Sequence, residues 1–258
     1  MKLRVTLARL AAASAHWGTT RLLHRGGGNV PGAVALRVDP NVIAELAGSL
    51  SPRLVVTGTN GKTTTTGLLA DALCGPGRNV VCNRAGNNME SGIAAALVLA
   101  GEKSGGRAGC FECDELYTVR VLPALRPDAL VLLNLFRDQL DRYGEIDHTQ
   151  DVIAEALRRS PETALVFNAD DPLCAAIADR VDNPGLPFGI DEPTDLEADR
   201  ISDSRFCARC NTGLEYDYVH YGQLGRYRCP ACGWERPALA FAAVNVRLTC
   251  GGFEFDVE

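Results

Sequence analysis

The sequence predicts an α/β fold: a mostly parallel sheet with an inserted four-cysteine ribbon. Three observations carry that expectation. Short apolar, β-branched runs alternate with helical stretches from Arg53 onward, the pattern of successive βαβ units. One run passes directly into a glycine turn and a helix, "LVVTGTNGKTTTTGLLADAL" from Leu54 to Leu73. Near Ser204 the texture changes to Cys, Tyr, Gly and Arg, with two C-x-x-C pairs.

In chain order, the first 38 residues contain Lys2, Arg4, Arg9, Arg21, Arg25 and Arg37 and no Asp or Glu. They read as a basic amphipathic helix packed on the body, or more sharply as a contact for anionic headgroups or a phosphorylated substrate. Arg9 interrupts the early apolar stretch and no clean small-residue cleavage site follows, so export is not expected. No apolar run approaches the ~20 residues that span a bilayer. "HRGGGNVPG" reads as a flexible loop and "PNVIAELAGSL" as a short helix closed near Gly48. Strands are expected at Leu54–Thr57, Val80–Asn83, Gly109–Cys113, Ala129–Asn134 and Ala164–Asn168. Helices are expected at Thr63–Leu73, Ser91–Leu99, Thr149–Arg159 and Pro172–Asp179. After Pro237, "FAAVNVRLTCGGFEFDVE" reads as two strands joined by a Gly-Gly turn. The expected organisation is a short N-terminal segment, 1–50, and an ATP-binding domain, 51–258, with the ribbon at about 205–237.

A chain of 258 residues can build one substantial core. Its net charge of −6 argues against a general nucleic-acid binder. Only three lysines occur, Lys2, Lys62 and Lys103, so one standing inside the glycine turn is there for its position. Ten cysteines without export point to metal ligands and buried thiols rather than disulfides.

The turn is the strongest chemical signal. Gly58 and Gly61 let the backbone fold tightly enough for N–H groups to converge on one anion. The helix that follows adds its unpaired N–H groups and dipole. Lys62 supplies a point charge for β- and γ-phosphates, and Thr63 a hydroxyl for Mg²⁺. The full G-x-x-x-x-G-K-[ST] pattern wants glycine at position 56, where this chain has Val56, so the loop is a variant, G-T-N-G-K-T. The expected nucleotide-binding set is Gly58, Thr59, Asn60, Gly61, Lys62, Thr63 and Thr64, with Asn168 and Asp170 from "FNADDP". Asp171 belongs to the same stretch, although Asn/Asp turns are also ordinary helix caps. "CFECDEL" puts Glu112, Asp114 and Glu115 at a strand end, where one of them can complete Mg²⁺ coordination. "NLFRDQLDRYGE" offers Asn134, Arg137, Asp138 and Asp141 after the next strand.

Cys207 and Cys210, eighteen residues, then Cys229 and Cys232 make a tetrahedral S₄ zinc pattern of the closed, structural type. Two such pairs would be superfluous for redox work. His220 and Cys250 fall outside the pattern and read as ordinary structural residues.

The ordered set "VVTGTNGKTTT", "GNN" at Gly86–Asn88, the strand-terminal Glu112, N-x-x-x-D-x-L-D-R from Asn134 and "NADD" resembles the central domain of the Mur ligase family over residues 53–190. The resemblance implies a ligase that uses ATP to make an acyl-phosphate, which an amine then attacks. It implies Gly61 and Lys62 on the phosphates, Thr63 and Glu112 on Mg²⁺, and Asn168 near the adenine. Lys62 and Glu112 would be the catalytic residues. Gln139 departs from the family's usual His, and no lysine follows Lys103 where a carbamoylated one is usual.

With the ribbon, the pattern is similar to the MurT-type subunit of lipid II isoglutaminyl synthase. That likeness implies a GatD-type glutamine amidotransferase partner and lipid II as substrate at the inner membrane face of the cytoplasm. It implies amidation of the α-carboxylate of D-glutamate in the stem peptide. The alternatives are a conventional Mur-type amino-acid ligase on a UDP-sugar peptide, or a non-catalytic nucleotide- and zinc-binding module. The last is in play because the family's C-terminal ligase domain has no counterpart here, so a truncated chain is expected.

Overall fold

The structure is a computed structural model that describes residues 2–22, 28–75, 78–83, 87–101, 106–136, 145–193, 205–250 and 252–258. The chain runs α1 (Lys2–Leu22), α2 (Val30–Val38), α3 (Val42–Ala47), β1 (Arg53–Thr57), α4 (Lys62–Leu73), β2 (Arg78–Cys82), α5 (Glu90–Leu99) and β3 (Gly106–Glu112). A 3-10 turn at Glu115–Tyr117 leads into α6 (Thr118–Leu125), then β4 (Ala129–Leu132), α7 (Glu145–Arg158), β5 (Ala164–Asn168), α8 (Pro172–Ala178) and β6 (Gly185–Ile190). Next come β7 (Glu215–Tyr221) and β8 (Leu224–Arg228), which pair with each other, and last β9 (Phe241–Thr249) and β10 (Gly252–Val257).

Eight strands form one sheet in the order β10-β9-β6-β5-β4-β1-β3-β2. Every pairing from β2 across to β9 is parallel, and only the edge strand β10 is antiparallel to its neighbour. A sheet covered on both faces needs strands apolar on both sides. β1 shows this, with Val55, Val56 and Thr57 all buried. The chain leaves β1 toward β2 and β3 on one side and reaches β4 on the other, so the sheet changes winding direction at β1. Ligand crevices of open α/β sheets lie at the carboxyl end of such a switch.

All five expected strands and all four expected helices are present, with bounds shifted by a few residues. β4 stops at Leu132 rather than Asn134, and α7 begins a turn earlier than expected, at Glu145. The helix closed near Gly48 and the β9–β10 hairpin also stand as expected. Correction is needed for "HRGGGNVPG". Residues 24–27 lie outside the described residues, but Val30, Pro31 and Gly32 open α2 instead of a loop. Pro31 suits a first turn, where its missing N–H costs nothing. Gly32 is demanded by packing, since a Cβ there would sit 1.7 Å from Ser91 O of α5. The helix crossing, not a turn, explains this glycine. α6, with Pro123 inside it, and β6, with Gly185, Pro187 and Gly189, were hidden by the same breaker residues.

The N-terminal helices share the core of the sheet. Ala8, Ala12, Ala35, Ile43 and Leu46 are buried in one cluster with Val55, Phe111, Leu130 and Leu165. Helix α1 therefore packs on the body as expected, through its alanines. Among the described residues no helix is long and apolar enough to cross a membrane.

Gly32→Ala should force α2 and α5 apart. Overpacking of this kind costs ~1–3 kcal/mol, and the melting temperature in a thermal scan is expected to fall by several degrees.

Candidate functional site

Strand β1 delivers the chain into a loop whose shape depends on two glycines. Gly58 has φ 133° and Gly61 φ 85°, both in the region that favours glycine. A Cβ on Gly58 would also lie 2.9 Å from Asn134 O. The loop is braced by the segment after β4. Thr59 N–H donates to Asn134 O at 2.9 Å, Asn60 N–H to Asn134 Oδ1 at 2.9 Å, and Asn134 Nδ2 returns a bond to Asn60 O at 3.1 Å. Thr59 Oγ1 accepts from Phe136 N–H at 2.9 Å and lies 3.3 Å from Phe136 O. Among the described residues, none accepts from the N–H groups of Gly61, Lys62, Thr63 and Thr64. These are the orphan donors of a helix start, gathered at a left-handed glycine.

Lys62 and Thr63 each meet one of the strand-end carboxylates. The Lys62 ammonium reaches back over the loop to the carbonyls of Gly58 and Thr59, and pairs with Glu115 Oε1 at 3.1 Å. Thr63 Oγ1 donates to Glu112 Oε2 at 2.8 Å. Glu112 is only 5 % exposed, and among the described residues no cationic side chain pairs with it. Its backbone is fixed by Asn83, whose Oδ1 accepts from Glu112 N–H at 2.9 Å and whose Nδ2 donates to Glu112 O at 2.8 Å. Asp114 takes a local part, accepting from Leu116 N–H at 3.1 Å to cap the 3-10 turn. Asn83 stood at an expected strand end and drew no functional reading, because nothing in its local spacing announces a bond to a residue 29 positions on.

The third polar strand end is engaged differently. Asn168 Oδ1 accepts from Asp170 N–H at 3.0 Å. Asp170 itself is buried and held by the ribbon: Arg236 Nη1 donates to its Oδ1 at 2.8 Å, and Ile190 N–H to its Oδ2 at 2.8 Å. Burial pushes the Asp170 carboxyl up from its ordinary value, against the Ile190 and Arg236 bonds that favour its charge. Arg236 Nη2 also donates to Asp191 Oδ1 at 2.6 Å, and this holds the half-exposed Asp191 below the usual carboxylate range. Asp171 caps α8, accepting from Leu173 N–H at 3.0 Å and from Leu135 N–H at 2.8 Å. It is fully buried, and burial pushes its carboxyl up to about 6.

The four cysteine sulfurs converge within 4.8 Å of one another, with Cys207–Cys232 at 3.5 Å and Cys210–Cys229 at 3.4 Å. A zinc ion with ~2.3 Å bonds to sulfur holds its ligands roughly 3.8 Å apart, so the set fits a closed S₄ metal site. The ribbon docks on α8, where Asp179 Oδ2 receives Trp234 Nε1 at 2.8 Å and Arg209 Nη2 at 2.7 Å. His220 contacts Ile190 O at 3.3 Å and belongs to this packing.

The tip of the β7–β8 hairpin reaches the braces of the phosphate loop. Gln223 is buried and donates to Leu135 O at 2.8 Å. Tyr221 meets the Phe136 ring edge-on, with centroids 5.9 Å apart. Leu135 and Phe136 thus sit between ribbon and loop. Arg137, Asp138, Gln139 and Asp141, with Gly86 and Lys103, lie outside the described residues.

With this geometry in view, comparison with known proteins is informative. Residues 56–229 match the Mur ligase middle domain. The chain belongs to the Mur ligase family. Ligases of this family use ATP. The chain is similar to subunit MurT of lipid II isoglutaminyl synthase (glutamine-hydrolyzing) from Streptococcus pneumoniae, 37 % identical over 263 residues, covering 100 % of this chain and 58 % of that one. The Staphylococcus aureus MurT is 34 % identical over 235 residues, covering 90 % of this chain and 51 % of that one. A UDP-N-acetylmuramoylalanine–D-glutamate ligase from Rhizobium meliloti is 37 % identical over 170 residues, 66 % of this chain and 34 % of that one. Among solved structures, a pseudomurein peptide ligase type C from Methanothermus fervidus superposes with TM-score 0.58 at 26 % identity, over 76 % of this chain and 38 % of that one. The chain spans about half the length of the MurT relatives it matches.

Two outcomes follow for this Mur ligase domain. Gln223→Ala strands the buried Leu135 carbonyl, a loss of ~1–3 kcal/mol. It should weaken magnesium-ATP binding severalfold in calorimetry while the circular dichroism spectrum is unchanged. Asp171 binds its proton more tightly folded than unfolded, so its contribution to stability is complete below about pH 4 and lost as pH rises through about 6. In urea unfolding, wild type relative to Asp171→Asn should lose roughly 3 kcal/mol across that window, at ~1.4 kcal/mol per pKa unit.

Proposed function

We propose that this chain is the ATP-using part of an amide-forming ligase acting on lipid II. In this reading the α-carboxylate of D-glutamate in the stem peptide takes the γ-phosphoryl group of ATP, releasing ADP. Ammonia from a GatD-type glutamine amidotransferase then attacks the acyl carbon, and phosphate leaves. The observation that carries the reading is the loop at the winding switch, where four open N–H groups and Lys62 lie beside the Thr63–Glu112 pair. Similarity to MurT subunits over 90–100 % of the chain supports this choice of substrate.

Each residue has a stated task. The N–H groups of Gly61 to Thr64 bind the phosphate chain, and Gly58 with Thr59 and Asn60 shape and brace the loop. Lys62 neutralises charge that builds on the transferring phosphoryl group, the principal protein contribution to such reactions. Glu115 keeps the ammonium over the loop. Thr63 and Glu112 would hold Mg²⁺. The fit is chemical: a buried carboxylate without a cationic partner is costly, and a hydroxyl beside it adds a second hard oxygen ligand. A bound Mg²⁺ would offset phosphate charge during transfer. Asn168 lies at the end of β5 and is assigned to the adenine side; Asp170 shapes that end rather than touching the nucleotide, its carboxylate being held by Arg236 and Ile190, its N–H by Asn168 and its C=O by Gly225. The cysteine ribbon, having no open ligand position when filled by zinc, is given a structural role.

Similarity to a D-glutamate ligase over two thirds of the chain supports a second reading, an amino-acid ligase on a UDP-sugar peptide. Glutamine dependence separates the two. With the amidotransferase, lipid II and magnesium-ATP, the full-length protein should consume ATP and glutamine together. Failure to turn over lipid II in that mixture overturns the proposal. Lys62→Ala should lower turnover by at least 10³-fold, about 4 kcal/mol of transition-state stabilisation, with zinc content and circular dichroism spectrum unchanged.

A further inference from the structure

Helix α1 has two apolar faces, and the bulkier one points away from the protein. Ala8 and Ala12 are fully buried against the body. Leu3, Leu7, Leu10 and Trp17 are 72, 49, 60 and 59 % exposed. Their spacing of four, three and seven residues places them on one stripe of the helix, opposite the alanines. A helix face that only meets water gains nothing from three leucines and a tryptophan, and a contiguous exposed apolar patch marks a contact surface.

The charge around the stripe says what the contact is. At 100° per residue Arg4 falls on one flank of it and Arg21 continues it at the helix end. Arg4 and Arg21 are exposed. The first 38 residues contain no Asp or Glu. Leucine and tryptophan on one stripe, on a helix whose charged residues are all cations, complement an interface that is apolar beneath and anionic at its surface. We infer that α1 docks the protein on an anionic lipid bilayer, lying in the headgroup plane with Leu3, Leu7, Leu10 and Trp17 inserted. The nucleotide site takes no part in this contact.

This chain carries its own probe. Of the two tryptophans in these 258 residues, Trp17 is exposed and Trp234 is 4 % exposed in the ribbon. Vesicles of phosphatidylglycerol and phosphatidylcholine, added to the full-length protein at low salt, should shift tryptophan emission to the blue, and Trp17→Phe should abolish the shift. Co-sedimentation should be at least tenfold weaker with phosphatidylcholine alone, and at least tenfold weaker for Leu7→Ser/Leu10→Ser. Lys62→Ala should bind vesicles like wild type, so failure of the nucleotide reading and failure of this one are told apart. The inference is overturned if wild type ignores anionic vesicles, or if the leucine variant binds them equally. It is also overturned if light scattering shows a dimer that the leucine variant dissolves without any vesicle binding, which would assign the stripe to a second copy of the chain.

Discussion

The site depends on β1 being held in parallel register between β3 and β4. Val56 pairs with Glu112 on one side and with Val131 on the other. That register carries two consequences a few residues on. It sets the Glu112 carboxylate beside the start of α4, where Thr63 can reach it, and it brings Asn134 under the loop to take the N–H groups of Thr59 and Asn60. A shift of either neighbour by one residue would turn the wrong side chain toward the crevice, because side chains alternate along a strand. The glycine loop is therefore a product of long-range pairing as much as of its own glycines.

The ribbon extends the same logic from outside the sheet. A Cys₄ module of this size has little core of its own; Tyr227 packs on Trp234, with ring centroids 5.1 Å apart, and a metal bound by the four cysteines would add the rest of its hold. It is fastened to the sheet at three points: Asp179 on α8, Asp170 with Asp191 near β5 and β6, and Leu135 after β4. The Asp170–Arg236 pair is almost without solvent, 4 % and 7 % exposed. Buried pairs contribute little net stability but are expensive to break, so this one specifies where the ribbon sits more than how stable it is. The placement matters because the third fastening point touches the loop braces.

Much of this was legible in the sequence, for reasons that can be stated residue by residue. The glycine turn, its lysine and the cysteine pairs depend on local spacing, and local spacing is what a sequence displays. Most strands of the parallel sheet showed as apolar runs; β6, with Gly185, Pro187 and Gly189, did not. Gly32 and Pro123 misdirected the reading because local propensity treats them as breakers, whereas tertiary packing uses one for a helix crossing and tolerates the other in a last turn. Asn83, Gln223 and Arg236 gave no signal at all. Each acts on a partner 29 to 88 residues away, and only the folded topology brings such pairs together. Asp170 illustrates the converse: its place in "NADD" suited a ligand contact, yet its carboxylate is committed to the ribbon.

The arrangement of charge at the loop also separates two carboxylates that look equivalent in "CFECDEL". Glu115 is matched by Lys62, so the pair is close to neutral and can stay in a crevice only 14 % exposed on each side chain. Glu112 has a hydroxyl and no cation among the described residues, and it is the more buried of the two. If Lys62 served both, a divalent ion would be superfluous and the loop would carry excess positive charge once one was present. Because Glu115 already satisfies the lysine, the remaining demand for positive charge falls at Glu112 and Thr63, where the ligands are hard oxygens. In the proposed function this division would give the ammonium to the phosphates and leave a cation position at the end of β3.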